Sequence, residues 1–220
     1  MSYQHCWVDG SAIDLPVGKV VCVGRNYAAH AKELGNEVPD APILFIKPAS
    51  SIVAMNAPLI LPQGQGEVHH EVEIALLVSE RMRNIDAKTA PWKIAGYGIG
   101  LDLTLRDLQS ELKAKGHPWE RAKGFDGACP LSGFVDARGI SGKQPLNISL
   151  AVNGDTRQQG NTTQMLFPIF ELIAKMSEVF TLEPGDVVLT GTPSGVAALH
   201  SGDVFNAKLG NTLTVEGSIA

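Results

Sequence analysis

The chain has 220 residues, 44% of them hydrophobic, which is enough for one sizeable core and excludes global disorder. Its 23 acidic and 18 basic residues leave a formal charge of -5, and no long basic run tracks a phosphate backbone, which excludes nucleic acid as the default partner. No apolar stretch approaches the roughly 20 residues that span a bilayer, and the opening MSYQHCWVDGS lacks the basic and apolar regions of a secretion signal, so a soluble cytoplasmic protein is expected.

Residues 1–15 read as an N-terminal extension and 16–220 as one domain. VVCVG ends a first strand, and NYAAHAKEL forms a short helix that Gly35 stops by supplying a left-handed exit. ILFIKP is a strand closed by Pro48, and APLILP a short extended piece bracketed by prolines. After the turn GQGE, HHEVEIALLV reads as a buried strand, and AGYGIGLDLTL as a second strand-like segment. Its GYGIG is not a dinucleotide loop, because no helix opens behind it. RDLQSELKAKG is helical and HPWERAKGFDGACP a loop, with Trp92 and Trp119 expected to be partly buried. LNISLAVNGDTRQQ is a hairpin turning at Asn153 and Gly154. The longest helix is QMLFPIFELIAKMSEVF, with Thr162 or Thr163 as cap and Pro168 near its first turn. Short strands separated by glycine-rich turns complete the chain, which points to a folded-over sheet or partial barrel. Cys6, Cys22 and Cys129 are widely spaced and form no CxxC pair, so reduced thiols are expected.

Glu71 and Glu73 sit inside an otherwise apolar strand, where alternation puts them on one face roughly 7 Å apart. One reading places both on the wet face of an edge strand. The other places them in a low-dielectric space, where a shared proton or a cation relieves their repulsion. Asp102, also flanked by apolar residues, adds a third oxygen ligand, and such a set suits magnesium or manganese. His69 and His70 point to opposite faces and are expected outside the ion's immediate ligands, where either can orient a carboxylate.

Glu71 and Glu73 in HHEVE, Asp102 in GLDLTLRD and the terminal GTPSGV together resemble the fumarylacetoacetate hydrolase family, over nearly the whole chain and closest to its short single-domain branch. The resemblance implies an α+β, mainly β fold, a mixed β-roll or incomplete barrel with flanking helices, assembled as a homodimer. It implies one divalent ion, Mg2+ with Mn2+ as the alternative, held by Glu71, Glu73 and Asp102, and a base dyad of His30 and Glu33 on a lid. The dyad's i, i+3 spacing independently puts both on one helical face. Arg25, Asn26, Lys47, Arg106, Gln109 and Thr192 resemble residues that line the substrate, and Lys123 resembles a second catalytic electrostatic group beside the ion.

The substrate so implied is a small 2-oxo acid, with no nucleic acid or membrane partner. Such a site stabilises an enolate, and several reactions share that enolate. The favoured reading is hydrolysis of a carbon-carbon bond in an acylpyruvate or related β-diketo acid, with water activated by His30 and Glu33. The alternatives are an oxaloacetate decarboxylase or keto-enol tautomerase, a 2-hydroxymuconate-type ring-cleavage isomerase, and a metal-dependent binding protein without turnover.

Overall fold

Short β-branched and aliphatic runs punctuated by glycine and proline become strands, and the computed structural model describes them over residues 3–139 and 145–220. In chain order the first elements are β1 (Val20–Gly24), α1 (Ala28–Glu33), β2 (Ile43–Lys47), β3 (Ile52–Ala54), β4 (Val68–His70), β5 (Val72–Val78), β6 (Ile94–Leu101), β7 (Thr104–Leu105), α2 (Arg106–Ala114), α3 (Glu120–Lys123), β8 (Cys129–Leu131) and β9 (Val135–Asp136). Then follow β10 (Asn147–Val152), β11 (Asp155–Asn161), α4 (Ile169–Val179), β12 (Val187–Leu189), β13 (Ala197–Ala198), β14 (Val204–Leu209) and β15 (Leu213–Ser218). None of these helices is long and apolar enough to cross a membrane.

The main sheet runs β2-β1-β12-β5-β6-β8-β3, with β9 beside β6, and curls into an open half-barrel. A four-stranded sheet (β11-β10-β14-β15) and a three-stranded one (β13-β4-β7) complete the β structure. This is the mixed α+β, incomplete-barrel architecture expected from the sequence. Strand β5 is buried on both faces, which explains its nearly unbroken apolar run. Val72, Ile74, Leu76 and Val78 join the larger core, while Ala75 and Leu77 join a smaller one with Val20, Cys22 and Leu189. By alternation Glu73 belongs to the second face, at the end of an apolar stripe. The GYGIG glycines lie inside β6, where they permit close approach: a Cβ on Gly100 would stand 2.6 Å from Leu189, and one on Gly96 2.8 Å from the Val135 carbonyl.

The structure corrects several expectations. HHEVEIALLV is two strands, because the ladder is interrupted at Glu71. Asp102 lies between β6 and β7 and not within a strand. Lys123 stands on the single-turn helix α3 instead of in a loop. Helix α4 starts after Pro168, since Asn161 and Gln164 form a capping box around a separate 3-10 turn at Thr162–Gln164. Trp92 is 83% exposed and not partly buried. APLILP, read as a short extended piece, carries one bridge, from Leu59 to Ile219. The NISLAVNGD hairpin forms as read, with positive φ at Asn153 and Gly154. The three cysteines are free, Cys22 and Cys129 being buried.

Leu76 has no exposed surface and packs into the larger core. Leu76→Ala is expected to lower unfolding free energy by about 2–5 kcal/mol, read as a lower urea midpoint at unchanged slope. An unchanged midpoint would show that β5 is not the sheet's central support.

Candidate active site

The site begins at a break shared by two strand pairs. Val68 and His69 pair with Leu105 and Thr104, Val72 and Glu73 pair with Leu101 and Gly100, and the register is the same on both sides of the break. Glu71 and Asp102 are therefore opposite one another where the ladder is interrupted, joined by a bond of 2.8 Å from the Asp102 N–H to the Glu71 carbonyl. Beyond the break Leu103 N–H leaves the ladder for the Ala128 carbonyl. One carboxylate oxygen from each of Glu71, Glu73 and Asp102 lies within 4.8 Å of the others, all three residues being buried. His69 and His70 are outside this cluster: His69 meets Glu67 at 3.1 Å, and the buried His70 meets Gln158 at 2.9 Å.

Three cationic side chains surround Glu71 and Asp102. Lys123 Nζ donates to Glu71 Oε2 (2.9 Å), Asp102 Oδ2 (2.6 Å) and the Thr104 hydroxyl (2.7 Å), so all its protons are used. Arg106 donates to Glu71 Oε1 and, at 2.7 Å, to Gln109 Oε1. Lys47 Nζ stands 2.8 Å from Asp102 Oδ1, yet its protons are directed at the carbonyls of Leu103, Lys123 and Ala128. That contact is Coulombic, which leaves Asp102 Oδ1 a buried anionic oxygen without a hydrogen bond.

These surroundings push the carboxyls apart. Burial alone raises Glu71, but Lys123 and Arg106 outweigh it and hold the group well below the usual carboxylate range. Glu73 moves the other way: burial, then the charges of Asp102 and Glu71, push it well above that range, against the Gly191 N–H that bonds its Oε2. Lys123 is raised, because Asp102 and Glu71 overcome the effect of its burial.

An unbonded oxygen on Asp102, a carboxyl on Glu73 that resists ionising, and an all-oxygen donor set fit a hard divalent cation. Lined by Glu71 and Glu73 of the cluster, a narrow cleft of about 30 Å³ also meets His30, Arg25, Gln109, Lys113 and Thr192. His30, buried on α1, bonds through Nδ1 to Glu33 Oε2 at 3.2 Å, and Gly195 N–H holds the other Glu33 oxygen at 2.9 Å. A proton on Nδ1 leaves Nε2 as the basic ring atom.

Two residues that resembled substrate contacts sit elsewhere. Lys47 lies fully buried behind the carboxylates. Asn26 is also fully buried, and its carboxamide is committed to Phe167 N and O and Thr190 O. Sequence reasoning passed over Gln158, which bonds His70, Val72 N, the Thr192 hydroxyl and the Pro193 carbonyl from the neighbouring sheet. In TRQQG it reads as one more polar residue of an edge strand; only tertiary packing buries it. Lys113 was also missed, although its spacing from Arg106 and Gln109 puts all three on one face of α2.

The family model described as fumarylacetoacetate (FAA) hydrolase C-terminal matches residues 19–220. Oxaloacetate tautomerase YcgM of Escherichia coli K12 is 51% identical over 214 residues, covering 96% of this chain and 98% of that protein. A mitochondrial oxaloacetate decarboxylase of Dictyostelium discoideum is 46% identical over 192 residues, 87% of this chain and 88% of that one. Among solved structures, fumarylpyruvate hydrolase from Pseudomonas aeruginosa in complex with Mn2+ and pyruvate superposes with a TM-score of 0.93 at 33% identity, covering 100% of this chain and 97% of that one. With its family model matched over nearly its whole length and its carboxylate cluster folded together, this chain belongs to the fumarylacetoacetate hydrolase family.

Proposed function

We propose that the protein is a divalent-metal-dependent enzyme acting on small 2-oxo acids, and that its reaction is the keto-enol tautomerisation of oxaloacetate. The observation that carries this reading is the near full-length likeness, at 51% identity, to a protein named oxaloacetate tautomerase. It replaces acylpyruvate hydrolysis, which the sequence motifs alone had favoured. Hydrolysis remains the second reading because of the 0.93 TM-score to a fumarylpyruvate hydrolase.

Glu71, Glu73 and Asp102 would hold the ion, magnesium being preferred for an all-carboxylate set that leaves room for water and substrate oxygens. When bound, the ion supplies Lewis-acid polarisation of the substrate's 2-oxo group. The protein's residues do the rest. His30 Nε2 takes a proton from C3, the carbon-hydrogen electron pair moves into the C2–C3 bond, and the same ring returns the proton to the C2 oxygen. Glu33 stabilises the imidazolium formed in between. Lys123 and Arg106 add positive potential as charge grows on the oxygen. The Thr192 hydroxyl already donates to the Val72 carbonyl, so a donor to substrate from this residue is its backbone N–H. Lys47 and Asn26 act from behind, setting Asp102 and the terminal turn in place.

In deuterated buffer with Mg2+, NMR is expected to show wild-type exchange at C3 of oxaloacetate without matching release of pyruvate, and a loss of about 100-fold or more in His30→Gln. Cleavage of acetylpyruvate into pyruvate and acetate at a comparable rate would instead favour hydrolysis. Burial and the charges of Asp102 and Glu71 push the Glu73 carboxyl well above the usual carboxylate range, so metal uptake, which needs its ionised form, releases protons. Calorimetry in two buffers of different ionisation enthalpy should find net proton release on Mg2+ binding, with affinity weakening as pH falls. No proton release would contradict the raised pKa of Glu73. Lys123→Met should lose about 10- to 1,000-fold in turnover, and its metal-free form should be destabilised by about 3–5 kcal/mol, because two buried carboxylates lose their shared donor. Normal turnover in that variant would remove Lys123 from the chemistry.

A further inference from the structure

Five cationic side chains gather around this site, and only three have carboxylate partners among the described residues. Lys47, Lys123 and Arg106 are matched against Asp102 and Glu71. Arg25 and Lys113 line the same cleft. Among the described residues, the only side-chain bond of Lys113 runs to the Asn36 carboxamide oxygen at 3.2 Å.

Helix α2 sets the layout. Arg106, Gln109 and Lys113 share one face, with Arg106 at the carboxylates and Lys113 two turns further out, about 10 Å along the axis. Its ammonium donates to Asn36, which lines the same cleft. Arg25 reaches that cleft from the segment after β1, with a φ of 60° in the left-handed region, which long side chains rarely adopt. The fully bonded Asn26 beside it holds the chain in that conformation. The charge of Arg25 is felt at Lys113, whose ammonium is pushed below its ordinary pKa by burial, then by Arg25 and Arg106. Two cations converging in a partly buried cleft favour an anion between them.

We propose that Arg25 and Lys113 form a second anion subsite, which takes the far carboxylate of a dicarboxylic 2-oxo acid while the buried carboxylate cluster serves its 2-oxo end. The assignment rests on the proposed 2-oxo acid reaction and adds the specificity that separates dicarboxylic from monocarboxylic substrates. Pyruvate would engage the inner end alone.

The test compares pyruvate with 3,3-difluoro-oxaloacetate, which carries the second carboxylate and has no C3 proton to lose. Both are titrated by calorimetry into the Mg2+-loaded full chain. Wild type is expected to prefer the dicarboxylate by about 30-fold or more; Lys113→Met and Arg25→Met should each cut that ratio about tenfold with pyruvate affinity held within about twofold, and Lys113→Arg should restore it. Lys113→Gln, with a polar side chain on the same helix, serves as second variant if the methionine form folds poorly. A wild type without preference, or variants that weaken both ligands equally, would overturn the subsite. Parallel C3 exchange assays keep the two proposals apart. Absent exchange with the preference intact rejects the tautomerase alone, while full exchange with an unmoved ratio rejects the subsite alone.

Discussion

Three carboxylates held within 4.8 Å of one another and out of water are the constraint on which the rest of the structure depends. Two unit charges at that distance repel by roughly 3–4 kcal/mol at an effective dielectric of about 20, before any cost of dehydration. The fold answers by pushing the Glu73 carboxyl well above the usual carboxylate range and by setting Lys47, Lys123 and Arg106 around Glu71 and Asp102. Each of these cations comes from a different element: the end of β2, the single turn of α3 and the start of α2. Removing any one exposes a partner that the core cannot solvate.

The same arrangement sets the reactivity. His30 shares a narrow cleft with Glu71, Glu73, Arg106 and Lys123. Its helix, α1, is six residues long and is fastened to the terminal turn through Glu33 and Gly195. A short element with one polar tether is suited to local opening without loss of the sheet.

Much of this was legible in the sequence where local chemistry decides. Glu71, Glu73 and Asp102 stood out because charge interrupts apolar runs, and Asn153-Gly154 because only that turn type suits the pair. The break at Glu71 was not legible. HHEVEIALLV has the composition of one strand, and at the break Leu103 N–H leaves for Ala128 across the fold. Lys47 and Asn26 read as residues lining the substrate, and their complete burial was not legible either. Gln158 shows the same limit from the other side, since its four partners come from distant parts of the chain. Choosing tautomerisation over hydrolysis required whole-chain likeness, because one motif set serves both reactions.

The unchanged register across the break has a consequence for how this chain tolerates changes of length. Strand alternation means that one residue inserted between Glu71 and Glu73, or Val72 removed, puts Glu71 and Glu73 on opposite faces and takes one of them from its place beside Asp102, whereas the far end of the ladder already absorbs a one-residue shift at Leu77/Val78. A matching change in β6 restores the pairing but shifts the glycines that admit Leu189 and Phe134. Length variation is therefore confined to the connections outside this ladder, such as 79–93. Around Glu71 and Glu73 a substitution changes one side chain, whereas a single codon gained or lost re-aims the carboxylates and takes the site apart.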